Sequence, residues 1–206
     1  MIDVYIATLP KQESATPLLC AERQAEIDGI SNERVRREKY YVWRLLEYAI
    51  KNSLGADASR LCFKKGENGK WSCDGFEFSI SHSGDILAVA LSFMSIGIDV
   101  ERIRVKNSER MANYILTQDE LWDYASLCEQ EREEWLIRKW CQKEAIFKLQ
   151  NKDSFAPSKI AVADFFTCDR EVLTNDEKYI LALAAENEDD IKIFEIFEIF
   201  ENIDVF

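Results

Sequence analysis

The sequence predicts an α+β fold made of two halves, each running from a strand through helices to further strands. Apolar residues that alternate with polar ones predict the strands, and apolar residues three and four positions apart predict the helices. Glycine-containing turns separate the short strands. The boundary falls near residues 95–97, which gives an N-terminal half of residues 1–96 and a C-terminal half of residues 97–206.

In the N-terminal half, the pattern predicts four strands and two helices. The strands are residues 1–9, 61–63, 76–80 and 86–93, and the helices are residues 18–30 and 31–51. We expect Ser31 or Asn32 to cap the longer helix, because a side-chain oxygen there can accept a backbone N–H of the first turn.

The C-terminal half begins with a strand in SIGIDVERIR, residues 95–104. Three helices are expected next, at residues 108–114, 118–128 and 130–150, with Thr117 as the N-cap of the second. Strands at residues 159–166, 178–185 and 191–197 then complete the chain, and the last of them is expected at a sheet edge.

The charge of the chain is unevenly distributed around a net value of −12. Residues 164–206 hold 13 acidic and 3 basic side chains, whereas residues 31–70 hold 10 basic and 5 acidic ones. An acidic protein is not expected to bind duplex nucleic acid, which needs many phosphate-neutralising cations. The basic segment is still suited to a small phosphorylated ligand.

The composition also argues against several other classes of protein. At 206 residues and 47% hydrophobic content, the chain can fill a sizeable core. Neither a signal peptide nor an apolar run of about 18 residues for a membrane span is seen. Six scattered cysteines without a CxxC pair, and a single histidine, make a zinc site unexpected. We expect free thiols in a cytoplasmic protein.

Two carboxylates share one face of the strand at residues 95–104. Apolar residues alternate there with Gly97, Asp99 and Glu101, so the two acidic side chains project next to each other. Like charges at that distance repel, and each raises the pKa of the other. A polar strand face in contact with water is the alternative interpretation, since antiparallel sheets commonly have one.

The predicted helix at residues 130–150 carries a third carboxylate, Glu144, with a lysine beside it. Lys148 follows four residues later and shares its face of the helix. Together with Asp99 and Glu101, Glu144 would offer three oxygen ligands of the kind that Mg²⁺ prefers. The alternative is a solvated charged face, for which Lys–Glu pairs are typical.

The segment FSISHSG, residues 78–84, contains the only histidine, His82, in a serine-rich turn after a strand. A structural hydrogen-bonding role is the alternative to a ligand contact. Serine hydrolysis is disfavoured, because no GxSxG elbow surrounds Ser81 or Ser83 and no second histidine is present to act as a base.

Taken together, these segments resemble the three motif regions of the 4'-phosphopantetheinyl transferases. FSISHSG, GIDVE (residues 97–101) and WCQKEAIFK (residues 140–148) match the family's FNxSHS, GxDxE and WxxKEAxxK in order and spacing, with Ser79 where asparagine is usual. Gly69 and Lys70 match the family's GKP without its proline. The chain length is similar to that of the surfactin-synthetase-activating (Sfp) type.

The resemblance implies a monomer built as a pseudo-twofold pair of similar α+β subdomains, with the active site in the cleft between them. The implied reaction moves 4'-phosphopantetheine from coenzyme A to a serine of an apo acyl-carrier or peptidyl-carrier protein and releases 3',5'-ADP. Asp99, Glu101 and Glu144 are the implied ligands of Mg²⁺, or of Mn²⁺. Glu144 is the implied proton acceptor, and Lys148 would stabilise the charge that develops on phosphate.

The resemblance also implies contacts with coenzyme A, mostly in the N-terminal half. These residues are His82, Ser81, Lys70, Arg37, Lys39 and Lys143. Arg37 and Lys39 would contact the 3'-phosphate. The alternative interpretation of these two residues is a solvated helix face. Lys143 would form a salt bridge to coenzyme A or lie behind the residues that do.

The expected partner creates an electrostatic conflict, since carrier proteins are usually acidic around their serine. Docking must then depend on a local patch, which the resemblance places near residues 114–116 and the helix that follows. The acidic last 43 residues would face away from the carrier. Two rival interpretations are a Mg²⁺-dependent phosphatase and a non-catalytic family member that only binds coenzyme A or a carrier.

Overall fold

The computed structural model describes residues 1–12, 14–67, 69–105, 108–174, 177–188 and 190–196. Its helices and strands form two compact units. The first unit contains Met1–Met94 together with residues 190–196, and the second contains Ser95–Glu188. The predicted α+β class is confirmed. Within the described ranges, no helix combines the length and the apolar character that crossing a membrane requires.

The first unit is built on a four-stranded sheet. Its strands, numbered in chain order and given in spatial order, are β4 (Glu77–Ser83), β5 (Ile86–Ser92), β1 (Ile2–Thr8) and β9 (Ile191–Glu195). All neighbours are antiparallel except β1 and β9, which are parallel. The hairpin strands β2 (Phe63–Lys65) and β3 (Trp71–Cys73) and the helices α1 (Ala21–Asp28) and α2 (Glu33–Leu54) complete the unit.

Helix α2 is buried on all sides in its middle, where every residue from 40 to 47 is buried, including the charged Arg44 and Glu47. The three- and four-residue spacing predicted a buried stripe on one face only. Asn32, not Ser31, is its N-cap, and the side chain of Asn32 accepts a hydrogen bond from the backbone N–H of Val35. The helix ends at Leu54 and is followed by Gly55 as its C-cap, whose φ of 62° lies in the left-handed region that favours glycine.

The last described strand, β9, belongs to the first unit, whereas the sequence analysis assigned it to the C-terminal half. It pairs with β1, so that Tyr5 lies opposite Phe194, and their rings stack with centroids 4.7 Å apart. The assignment was wrong because pairing between the two ends of a chain leaves no local pattern in the sequence. The edge position is confirmed; the predicted end of this strand, at residue 197, lies outside the described residues.

The second unit is a three-stranded antiparallel sheet with helices on one face. The spatial order is β6 (Ile96–Arg102), β8 (Glu177–Ala185) and β7 (Phe166–Thr174). The helices are α3 (Ser108–Ile115), α4 (Gln118–Ser126) and α5 (Glu129–Gln150). Helix α5 lies on the sheet through a core that includes Ile137, Ala145 and Ile180, and α3 and α4 share a second core with Leu136 of α5.

Residues 159–166 do not form the predicted strand. The segment instead contains the end of one short 3₁₀ turn, Pro157–Lys159, and the whole of a second, Val162–Asp164, and β7 begins only at Phe166. The side chains of Ile160 and Val162 pack into the core beneath α5. Their alternation therefore reflects a loop anchored at two points, which local spacing does not distinguish from a strand.

Strand β6 and helix α5 approach each other very closely at Gly97. A Cβ atom placed on Gly97 would lie 1.9 Å from the carbonyl oxygen of Ala145 and 2.7 Å from the backbone nitrogen of Leu149. Backbone atoms cannot move aside as a flexible side chain can. Only glycine therefore allows this strand and this helix to touch.

Substitution of Gly97 by alanine should force α5 away from β6. We expect Gly97→Ala to lower the free energy of unfolding by about 3 kcal/mol or more, measured by urea denaturation. Gly29→Ala is the matched control, because a Cβ atom there would meet its nearest neighbour at an ordinary 3.5 Å. A Gly97→Ala protein as stable as the wild type would show that the contact does not constrain the fold.

Candidate active site

Asp99 and Glu101 lie on the face of β6 that packs against α5. Side chains two residues apart in a strand point to the same face, so Asp99 and Glu101 share the face of Gly97, which contacts the helix. Asp99 is only 4% exposed, and Glu101 is half-buried. The alternative of a polar strand face in water is therefore wrong for Asp99.

Lys148 extends from α5 to this pair of carboxylates. Its ammonium group donates hydrogen bonds to Oδ1 of Asp99 at 2.8 Å and to the carbonyl oxygen of Ile98 at 2.9 Å. Because Asp99 is buried, the positive charge of Lys148 offsets much of the cost of removing that carboxylate from water. Lys148 therefore faces the strand and is not part of a solvated helix face.

Glu144 is electrostatically coupled to the same cluster. Burial and the negative charge of Asp99 raise the pKa of Glu144 to about 7; Glu101 adds a smaller increase, and the positive charge of Lys148 opposes the rise. Glu144 therefore responds to the charges of both strand carboxylates and of Lys148. With a pKa near neutrality, Glu144 is suited to accept a proton and to release it.

Cys141 lies beside the cluster and was not singled out by the sequence analysis. It is fully buried, and its thiol donates to the carbonyl oxygen of Ile180 at 3.4 Å. Burial raises the pKa of Cys141 well above its ordinary value, and the charges of Asp99 and Glu101 raise it further. Cys141 therefore stays a neutral thiol.

The donor set of this cluster fits a hard divalent cation. Asp99, Glu101 and Glu144 all offer carboxylate oxygens, and their mutual repulsion is the kind that a cation relieves. As placed, the described residues contain no group of three His, Cys, Asp or Glu side chains that could hold a metal ion. Binding of Mg²⁺ or Mn²⁺ is therefore a proposal, which is developed below.

Lys143 is buried and fully paired, which is contrary to the predicted salt bridge to coenzyme A and leaves the alternative of a place behind the residues that contact the ligand. It is 0% exposed, and its ammonium group donates to Oε2 of Glu120 at 2.6 Å and to the carbonyl oxygens of Ile115 at 2.7 Å and Pro157 at 3.0 Å. All three of its N–H donors are thereby used. Lys143 joins α5 to α3, α4 and the following turn.

Glu120, the partner of Lys143, also helps to begin α4. Its carboxylate accepts the backbone N–H of Thr117, and the hydroxyl of Thr117 accepts the backbone N–H of Glu120. This capping box confirms Thr117 as the N-cap. The Thr-x-x-Glu spacing is a sequence signature of this capping box, whereas the pairing of Glu120 with Lys143 has no such signature.

In the first unit, Ser81 and His82 lie near the end of β4. Ser81 is buried and pairs with Ala88 of β5. The side chain of His82 is 32% exposed, and its Nδ1 atom lies 3.7 Å from Oε2 of Glu38 in α2. The fold thus places His82 beside a carboxylate that the sequence analysis did not identify.

The other predicted coenzyme A contacts of the first unit are spread over α2 and the β2–β3 hairpin. Arg37 donates to the carbonyl oxygen of Lys11 at 3.2 Å and lines a cavity of about 250 Å³. Lys39 is half-buried on the same helix. Burial lowers the pKa of Lys70, against the opposing charge of Glu77.

The predicted carrier-docking segment is exposed at one of its three residues. Tyr114 is 58% exposed, whereas Ile115 and Leu116 are buried at 0% and 2%. The apolar character of Ile115 and Leu116 therefore serves the core. The following helix, which is part of the predicted region, carries Trp122, and this side chain is 72% exposed.

Comparison with known proteins identifies the class to which this α+β arrangement of carboxylates and lysine belongs. Residues 95–194 match the family described as the 4'-phosphopantetheinyl transferase superfamily. The matched segment contains β6, α5 and all four members of the charged cluster. Residues 95–194 therefore belong to that superfamily, as the motifs predicted.

Two curated proteins with sequence similarity to this chain also carry the name 4'-phosphopantetheinyl transferase. The 4'-phosphopantetheinyl transferase psf-1 of Bacillus pumilus is 29% identical over 111 residues, which are 52% of this chain and 47% of the relative. A Haemophilus influenzae protein with a provisional 4'-phosphopantetheinyl transferase name is 32% identical over 80 residues, 36% of this chain and 33% of the relative. The matched part of the chain thus spans less than half the length of either relative.

Removal of the Lys143 ammonium group should destabilise the second unit. We expect Lys143→Met to lower the free energy of unfolding by about 3–5 kcal/mol in urea denaturation, because Glu120 and two carbonyl oxygens lose a buried partner. Lys152→Met, at an exposed residue just beyond α5, is the control and should change stability by less than about 0.5 kcal/mol. A Lys143→Met protein of normal stability that binds coenzyme A poorly would restore Lys143 to the ligand contacts.

Proposed function

We propose that this protein transfers 4'-phosphopantetheine from coenzyme A to a serine of an apo acyl-carrier or peptidyl-carrier protein and releases 3',5'-ADP. The observation that carries the proposal is the cluster of Asp99, Glu101, Glu144 and Lys148, in which Glu144 is electrostatically coupled to the other three. The cluster lies within the segment that matches the superfamily. The names of both relatives assign them the same type of reaction.

Glu144 is the proposed proton acceptor for the carrier's serine. Without a bound cation, its pKa of about 7 leaves a substantial carboxylate fraction at neutral pH and makes it a stronger base than an ordinary glutamate. The serine oxygen bonds to the phosphorus next to pantetheine, its proton passes to Glu144, and the bond to the leaving 3',5'-ADP breaks. Lys148 stabilises the negative charge that develops on the transferred phosphate or on the leaving group.

Asp99, Glu101 and Glu144 are the residues that would hold Mg²⁺ or Mn²⁺. When bound, the cation supplies the positive charge that neutralises the pyrophosphate of coenzyme A during transfer. The need for it follows from charge, because three carboxylates outnumber the single Lys148 and would otherwise repel a phosphate. The pairing of Lys148 with Asp99 keeps the ammonium group in place beside the carboxylates.

The resemblance extends the proposal to the rest of the chain. His82, Ser81, Lys70, Arg37 and Lys39 are proposed contacts of coenzyme A, and the pseudo-twofold arrangement of the two units, the monomeric state and the cytoplasmic location stay predictions. For carrier docking, the exposed side chains of Tyr114 and Trp122 are the proposed local patch. Aromatic contacts of this kind bind without requiring favourable net charge.

The transferase proposal predicts that the mass of a purified apo-carrier protein will increase by one 4'-phosphopantetheine group after incubation with this protein, coenzyme A and Mg²⁺. The increase should be lost with EDTA. We expect Asp99→Asn to reduce the initial rate by about a hundredfold or more, because the variant removes a carboxylate that would hold the cation and that pairs with Lys148. Mass spectrometry of intact carrier measures both effects.

Asp153→Asn is the matched control, since Asp153 is an exposed aspartate just beyond α5 and should leave the rate unchanged. If several types of carrier gain no mass while coenzyme A still binds, the protein is a non-catalytic binding member. If phosphate is released without any carrier modification, the phosphatase interpretation replaces the transferase.

A further inference from the structure

We infer that Glu38 and Arg34 are positioning residues that hold the imidazole of His82 for a phosphate of coenzyme A. The inference rests on the proposed function, in which His82 contacts coenzyme A. Neither Glu38 nor Arg34 was a candidate contact in the sequence analysis. The argument depends on a line of charged groups that runs from α2 to the end of β4.

The first link joins Glu38 to His82. Oε2 of Glu38 lies 3.7 Å from Nδ1 of His82, and the two side chains are 13% and 32% exposed. That distance is too long for a hydrogen bond but lies within the range of an ion pair. A carboxylate on the Nδ1 side favours a proton on that nitrogen and orients Nε2 away from the carboxylate, which is how carboxylates orient functional histidines.

The second link fixes Glu38 itself. Nε of Arg34 donates to Oε1 of Glu38 at 2.8 Å, one helical turn away. Nη2 of Arg34 donates to the carbonyl oxygen of Gly84 at 2.8 Å and to Oδ1 of Asp85 at 3.2 Å. Gly84 and Asp85 form the turn directly after the strand that carries His82. Arg34 thus ties the helix bearing Glu38 to the strand end bearing His82.

The charges in this line explain why an acidic residue near a phosphate site need not repel the phosphate. The contact of Glu38 with Arg34 is shorter than its contact with His82, so Arg34 offsets most of the carboxylate charge. Glu38 lies on the Nδ1 side of the imidazole, away from the proposed phosphate contact. The net effect expected is a fixed imidazole that, when protonated at both nitrogens, turns Nδ1–H toward Glu38 and donates Nε2–H to the anion.

The test is a double-mutant cycle on binding of coenzyme A, measured by calorimetry. We expect Glu38→Gln to raise the Kd about fivefold and His82→Gln to raise it at least as much. If Glu38 acts through His82, Glu38→Gln should cause no further loss in the His82→Gln background. Glu33→Gln removes an exposed carboxylate from the same helix and should leave the Kd within twofold of the wild-type value.

A second readout does not depend on the ligand. Because His82 is the only histidine, its ring ¹⁵N chemical shifts can be assigned without ambiguity and report its tautomer. We expect them to change in Glu38→Gln and not in Glu33→Gln. Thermal unfolding of every variant controls for loss of structure.

The outcomes separate this inference from the proposed function. Unchanged ring shifts in Glu38→Gln, or an equal loss of affinity in the presence and absence of His82, would overturn the positioning role. A wild-type protein that neither binds coenzyme A nor modifies a carrier would overturn the proposed function and the ligand assigned to His82. The ring shifts would still decide whether Glu38 orients the imidazole.

Discussion

The candidate site depends on the close contact between β6 and α5 at Gly97. A strand advances about 6.6 Å in two residues, and a helix advances about 6 Å in four. Once Gly97 lies against Ala145 and Leu149, Asp99 comes within reach of Lys148. The GxDxE spacing on the strand and the KEAxxK spacing on the helix thus both follow from this one contact.

The same contact explains why neighbouring residues of α5 behave so differently. Consecutive helix residues point about 100° apart, so Lys143 and Glu144 project in different directions. Lys143 extends into oxygens of α3, α4 and the turn after α5 and is fully paired. Glu144 is instead influenced by Asp99 and Glu101 on β6. Lys143 therefore stabilises the second unit, whereas Glu144, whose pKa is raised, is suited to proton transfer.

Local patterns were sufficient to predict most of the elements that position the site. The periodicity of β6 and α5 and the caps at Asn32 and Thr117 depend on residues close in the chain. Long-range partners could not be predicted in that way. Nothing near Lys143 in the sequence indicates that Glu120 will bury it, and nothing near residue 191 indicates that β9 will pair with β1.

In the rest of the chain, the sequence likewise could not predict which apolar residues are buried or which side chains meet. Ile115 and Leu116 are apolar residues of the kind that an exposed docking patch would also contain. Only their burial in the folded unit shows that they belong to the core. The motif around His82 could be read from the sequence, whereas its approach to Glu38 requires α2 and β4 to be placed together. The alternation at residues 159–166 is equally compatible with a strand and with an anchored loop.

The central claim is that the carboxylates of β6 and α5 hold one divalent cation. Its most direct test is a titration of the protein with Mn²⁺, with and without coenzyme A, in which electron paramagnetic resonance counts the free ion. The account predicts one saturable site per chain that Mg²⁺ displaces, that is lost in Glu101→Gln and that is retained in Asp153→Asn. Absence of a saturable site, or equal affinity in Glu101→Gln and wild type, would contradict it.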